Sequence, residues 1–254
     1  MKIPKLKKTI NYVIGGSLAA FAIFLILAAT KNNAQRRCQG LETKIKDNSE
    51  QFLVTKEDID KWVTQYGNDP FEGKIIENIN LEKVEKRVME SGTIKSCKAF
   101  FDLQGFLVLE IEAYKPVARI LNPYQTGDKF IDNEGNIFPF SQHFSPTVLL
   151  ISGDYVSRLK SLKSEKNSDL LELINRISED EFWSAQITQI DVNKNKEVKM
   201  LPLMGKNIIE FGRPENITSK FEKLLVFYKQ ILPQKIWGDF STVSVKYEGQ
   251  IVCN

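Results

Sequence analysis

Cys97-Lys98-Ala99-Phe100-Phe101-Asp102-Leu103-Gln104-Gly105-Phe106-Leu107-Val108-Leu109-Glu110-Ile111-Glu112-Ala113 is the stretch that decides how this chain folds. Cys97, Ala99, Phe101 and Leu103 alternate with Lys98, Phe100 and Asp102. After Gln104-Gly105 the alternation resumes, with Leu107, Leu109, Ile111 and Ala113 set against Val108, Glu110 and Glu112. Successive side chains of a strand point to opposite faces, so a period of two predicts strands, and the short turn between them predicts a hairpin.

Upstream the period changes. Thr55 followed by Asp58 reads as a capping box with a shortened acid, and Ile59, Trp62, Val63 and Tyr66 then fall at helical spacing up to Gly67. Asn80 caps a second helix with Leu81, Val84, Val88 and Met89 on its apolar stripe and Gly92 beyond its end. Leu41 to Ile45 alternates as a short strand. The order in residues 38–115 is therefore β-α-α-β-β, a segment small enough that its core is thin.

Downstream, residues 116–254 read as a second, strand-rich unit. Strands are expected at Val117–Leu121, across Lys129–Phe138 folded over Asn133-Glu134-Gly135, and at Thr147–Ile151, Gln186–Val192, Glu197–Leu201 and Asn207–Phe211. Helices are expected at Leu170–Ile177 and at Glu215–Ile231, the latter amphipathic and stopped by Pro233. A last hairpin pairs Val243–Tyr247 with Gln250–Cys253 over Glu248-Gly249. The fold class is α+β, with the two units joined directly at Lys115-Pro116.

The N-terminus adds a third element. Met1 to Thr9 is a basic tail, with Lys2, Lys5, Lys7 and Lys8. Residues 10–30, INYVIGGSLAAFAIFLILAAT, carry no ionisable side chain except the phenol of Tyr12. About 20 apolar residues cross a hydrocarbon core as a helix, so Ile10, Phe21, Leu25 and Thr30 mark an expected transmembrane anchor. A cleaved signal peptide has an apolar centre of only about 7–15 residues, and Ala28-Ala29-Thr30-Lys31 is a poor cleavage site. The basic tail stays inside and the long C-terminal part crosses. Residues 31–37 are a juxtamembrane linker.

Composition limits the chemistry. With 42% apolar and 26% charged residues among 254 and a net charge of +3, the chain is an ordinary globular one without a nucleic-acid footprint. Three cysteines, Cys38, Cys97 and Cys253, build no disulfide framework, and unpaired thiols are the simpler reading. The one histidine, His143, stands in a loop without a framed nucleophile. Asp132, Glu134, Glu179, Asp180 and Glu181 offer carboxylates, which turns and helix ends explain more cheaply than glycoside chemistry. No phosphate loop, cofactor motif or metal-ligand spacing is present, so no cofactor and no small-molecule substrate are expected.

Three local stretches carry a family resemblance. Leu53-Val54-Thr55-Lys56-Glu57-Asp58-Ile59, Leu109-Glu110-Ile111-Glu112-Ala113-Tyr114-Lys115-Pro116-Val117-Ala118, and Phe130-Ile131-Asp132-Asn133-Glu134-Gly135-Asn136-Ile137-Phe138-Pro139 stand in order behind a single anchor. In this arrangement the chain resembles the FtsQ/DivIB family of bacterial cell-division proteins, with 38–115 similar to its POTRA domain and 116–254 to its β domain. The chain departs from the family's aromatic and proline near Gly92-Thr93-Ile94, and Ser244-Val245-Lys246-Tyr247 stands where an Asp-Leu-Arg-Tyr element is expected.

The resemblance implies a non-enzymatic, single-pass scaffold of the divisome. It implies an inner-membrane protein at the septum, with its bulk in the periplasm, that holds FtsB/DivIC-like and FtsL-like bitopic partners. The partner-binding residues would be those of the terminal hairpin: Val245, Lys246, Tyr247, Gln250, Ile251, Val252 and Cys253. An edge strand leaves N–H and C=O groups to which a partner segment adds as another strand. Lys246 would meet an acidic partner side chain. Tyr247 would either anchor the partner or pack on the Glu215–Leu232 helix. A POTRA-bearing periplasmic transport accessory and a membrane-anchored periplasmic enzyme are the alternatives, since fold alone does not fix function.

Overall fold

The computed structural model describes residues 16, 17, 20, 21, 23, 24, 36–46, 54–122, 127–140, 145–205, 207–234 and 240–254. Of the anchor positions, Ile10, Leu25 and Thr30 lie outside these residues, while Phe21 is helical and exposed. Among the described residues no helix is long and apolar enough to cross a membrane. His143 also lies outside them. The chain forms two compact units, one holding the first strand and Thr55–Glu112, the other holding Ala113–Asn254.

The first unit follows the expected order. Strand β1 (Gly40–Ile45) is followed by helices α1 (Lys56–Val63) and α2 (Leu81–Met89) and by strands β2 (Ile94–Phe101) and β3 (Phe106–Ala113). The sheet order is β1-β3-β2, with β1 parallel to β3. Parallel neighbours need a crossover, and the two helices supply it. The Thr55 hydroxyl accepts from Asp58 N–H while the Asp58 carboxylate accepts from Thr55 N–H, so the shortened capping box closes. The Asn80 carbonyl oxygen accepts from Lys83 N–H. Ile59, Val63, Val84 and Val88 are buried, as are Leu107, Leu109 and Ile111.

One ion cluster ties the helices together. The Arg87 guanidinium donates to the Val63 carbonyl at 2.9 Å and to the Asp69 carboxylate at 2.7 Å. Lys74 also donates to Asp69. The hydrogen bond from Lys74, then that from Arg87, holds the Asp69 carboxyl below its ordinary range.

The hairpin differs from expectation at its tip. The alternation ends at Phe101, and Leu103, expected to continue it with Cys97, Ala99 and Phe101, is 95% exposed. Asp102 is the cause: one oxygen of its carboxylate accepts from both Gly105 and Phe106 N–H, closing a wider turn over Asp102–Gly105.

Among the described residues, the second unit forms a nine-stranded sheet in the order β12-β11-β10-β9-β8-β7-β4-β5-β6. Its strands are β4 (Ala118–Ile120), β5 (Lys129–Ile131), β6 (Ile137–Pro139), β7 (Leu149–Ser152), β8 (Ile187–Val192), β9 (Val198–Pro202), β10 (Ile208–Gly212), β11 (Thr242–Ser244) and β12 (Val252–Cys253). Helices α3 (Ser168–Glu179), α4 (Glu181–Gln186) and α5 (Ile217–Val226) contribute Leu173, Trp183, Phe221 and Leu224 to one core with Ile120, Ile151, Ile190, Met200 and Phe211 of the sheet. Helix α4 departs from the sequence expectation: the Asp180 carboxylate caps it by accepting from Phe182 and Trp183 N–H. The long helix expected to Ile231 is α-helical only to Val226, continues as a π turn over Phe227–Ile231, and tightens into a 3-10 turn at Leu232–Gln234, where Pro233 offers no N–H.

The β5–β6 hairpin shows what its acidic residue does. Asp132 is buried, and its carboxylate accepts from Glu134 N–H, Asn136 N–H and the Asn136 amide. Gly135 has φ +82°, and a Cβ there would meet the Leu162 Cβ at 3.0 Å. This loop is built for shape. On the sheet face away from the helices, Tyr114 stacks on Phe138 and Phe140 on Phe130, with centroids 4.8 and 5.3 Å apart.

Candidate partner-binding edge

Strand β11 lies between β10, to which it is parallel, and β12, to which it is antiparallel. The parallel pair requires a crossover, which runs through α5. Asn254 and Thr242 exchange both backbone hydrogen bonds. Hydrogen-bonded and non-hydrogen-bonded pairs alternate along an antiparallel ladder. Ser244–Val252 is therefore the next bonded pair, and Cys253, opposite Val243, turns its N–H and C=O away from β11. These groups face outward at the end of the sheet.

The hairpin is looser than expected. Residues Val245–Ile251 connect the two short strands, in place of a two-residue turn at Glu248-Gly249. Val245, expected among the partner-binding residues, is fully buried in the core, because its N–H continues the parallel ladder to the Glu210 carbonyl. Its side chain is a packing residue. Lys246 is exposed and donates to the Glu210 carboxylate at 3.2 Å, which raises its pKa above the ordinary lysine value. Its ammonium also stands 5.1 Å from the Tyr247 ring centroid. Tyr247 is 47% exposed, so its ring is available at the surface. Gln250 is exposed, Ile251 packs partly against the core, and Val252 and Cys253 are half-buried.

Two residues that sequence reasoning missed hold this region. The Lys223 ammonium, on α5, donates to the carbonyls of Val245 and Tyr247. Gly212, at the end of β10 with φ +73°, leaves room for the connector, since a Cβ there would meet the Lys246 Cβ at 2.8 Å. Neighbouring Lys220 is buried, donates to the Arg213 carbonyl at 2.6 Å, and has its pKa lowered by burial.

Some backbone groups at or next to the other sheet edges are taken. At β6, Asn136 bridges to Ser161 and Pro139 ends the strand. Beside β1, Arg37 bridges to Ile75 and Cys38 N–H donates to Lys74. On β2, the Ala99 N–H is taken by the Glu85 carboxylate at 2.8 Å. The three cysteines are free, and among the described residues no cluster of His, Cys, Asp and Glu is arranged to hold a metal.

Residues 115–254 match the family described as FtsQ/DivIB, C-terminal related, and residues 36–112 match the POTRA-like domain. The chain belongs to the FtsQ/DivIB family. No curated protein matches it. As an FtsQ/DivIB member it is a division-associated protein with a POTRA-like unit and a strand-rich unit, in a family that is generally non-enzymatic.

Proposed function

We propose that this FtsQ/DivIB member is a membrane-tethered scaffold that holds FtsB/DivIC-like and FtsL-like partners in the periplasm by strand addition at β12, in support of septum formation. The tether is residues 10–30, with residues 1–9 in the cytoplasm. Two anchored proteins meet at a raised effective concentration, so a short edge is sufficient for recruitment. The observation that carries the reading is the outward N–H and C=O of Cys253 at the end of the sheet. Lys246 and Tyr247, in the connector that leads into β12, supply a cation and an aromatic anchor. Family membership sets this reading above the transport-accessory and enzyme alternatives.

Cys253→Pro tests it. Proline removes the outward donor while leaving the Val252 and Asn254 bonds to β11 available. The folded variant is expected to lose capture of the purified periplasmic segment of the FtsB/DivIC-like partner. Capture at the wild-type level by a folded Cys253→Pro protein would sink the proposal, as would normal septation in cells depleted of the protein.

A further inference from the structure

We propose that Lys223 is a positioning residue for the β12 edge: its ammonium straps the β11–β12 connector to α5 and so fixes the register in which the edge is offered. This rests on the strand-addition reading and adds to it a residue that acts through the connector.

The edge needs such a tie. Strands β11 and β12 share only two paired positions, Val243 with Cys253 and Ser244 with Val252, followed by the bonds to Asn254. A slip of one residue would turn the open groups of Cys253 onto β11 and move every side chain of the strand to the other face. The strap opposes that slip.

The geometry of the strap is specific. Lys223 lies in the last turn of α5, where a lysine commonly serves the carbonyls of its own helix. Here it reaches the carbonyl of Val245, 22 positions away, at 2.7 Å, and that of Tyr247, 24 positions away. Hydrogen bonds from an ammonium are stronger than neutral ones. Its base is rigid, because Phe221 and Leu224 sink α5 into the core on either side. From β10, the bare surface of Gly212 and the Glu210–Lys246 pair hold the same connector. Lys223 thus reaches the connector from the helix while β10 holds it from the sheet.

The test compares Lys223→Met with Lys223→Arg in the whole protein, by site-resolved amide exchange and by capture of the periplasmic partner segment. The Met variant is expected to exchange the Val252 and Asn254 amides about tenfold faster while the amides of β7 to β9 stay protected. It is expected to bind the partner about tenfold more weakly. The Arg variant, which keeps a charged donor, is expected to recover both. Unchanged exchange at Val252 and Asn254 in the Met variant overturns the proposal, and so does a rise spread evenly over the sheet, which marks a general packing role. Local loosening in the Met variant, alongside a wild-type protein that captures no partner, would overturn the strand-addition reading while leaving the strap in place.

Discussion

The carboxylate of Glu85, on α2, accepts a hydrogen bond at 2.8 Å from the backbone N–H of Ala99, on the outer strand β2 of the first unit. An exposed strand edge is a template for unwanted pairing, and charges are one way to blunt it. Here the charge occupies a donor that a second strand would need. Glu85→Ala is expected to cost about 1–2 kcal/mol, the penalty for an unmade bond at a partly buried group. It should also speed exchange at Ala99 and produce concentration-dependent self-association in sedimentation. Glu85→Gln keeps an acceptor and should stay closer to the wild type. A strictly monomeric Glu85→Ala protein would show that the edge is guarded by something else.

Acid should loosen the first unit through Asp69. Its folded carboxyl titrates below the ordinary value of 3.8, so the unfolded chain binds the proton more readily. The stabilisation is complete above that ordinary value and is lost as pH falls through the folded one. Urea unfolding between about pH 6 and about pH 3 should show this slope, and Asp69→Asn should flatten it. An equal slope in the variant would assign the acid sensitivity to other carboxylates.

Gly153 precedes the turn after β7 with φ +112°, and a Cβ there would run into the Val192 carbonyl. Backbone offers no flexible end to move aside. Gly153→Ala is expected to destabilise the second unit by about 2–4 kcal/mol, from strain at positive φ together with overpacking. A thermal melt of the variant reads this directly, and an unchanged midpoint would mean that the β7 and β8 ends can part without cost.

Cys97 provides a pH-dependent chemical signature. Burial, and then the charge of Glu85, push its thiol up to about 11. The thiolate is the reactive form. Alkylation of Cys97 should therefore be slow near neutral pH and climb as pH approaches that value. Glu85→Gln, which removes the nearby charge, should shift the profile down. A profile centred at the ordinary thiol value of 9.0 would contradict this environment.

Local signals were the legible ones. Thr55 with Asp58, and Asn80, announce helix starts because a cap and the N–H it serves lie within three residues. The turn carboxylates were harder. Asp102 gathers two N–H groups and widens a turn, although the alternation through Leu103 points to a longer strand. Helix α4 escaped because six residues are too few to show a period. The site itself was only half readable. The terminal edge could be placed from alternation and turn residues, but Val245 looked like its neighbours until the parallel pairing with β10 put it inside. Lys223 carries no sequence mark, since its partners are backbone carbonyls more than twenty residues away.

The outward groups of Cys253 have a mechanical consequence. Hydrogen bonds of an antiparallel ladder run across the strands. A pull along a strand laid beside β12 loads all its rungs together in shear, whereas a pull away from the sheet opens them one at a time. A joint of this kind resists tension in one direction and peels in another.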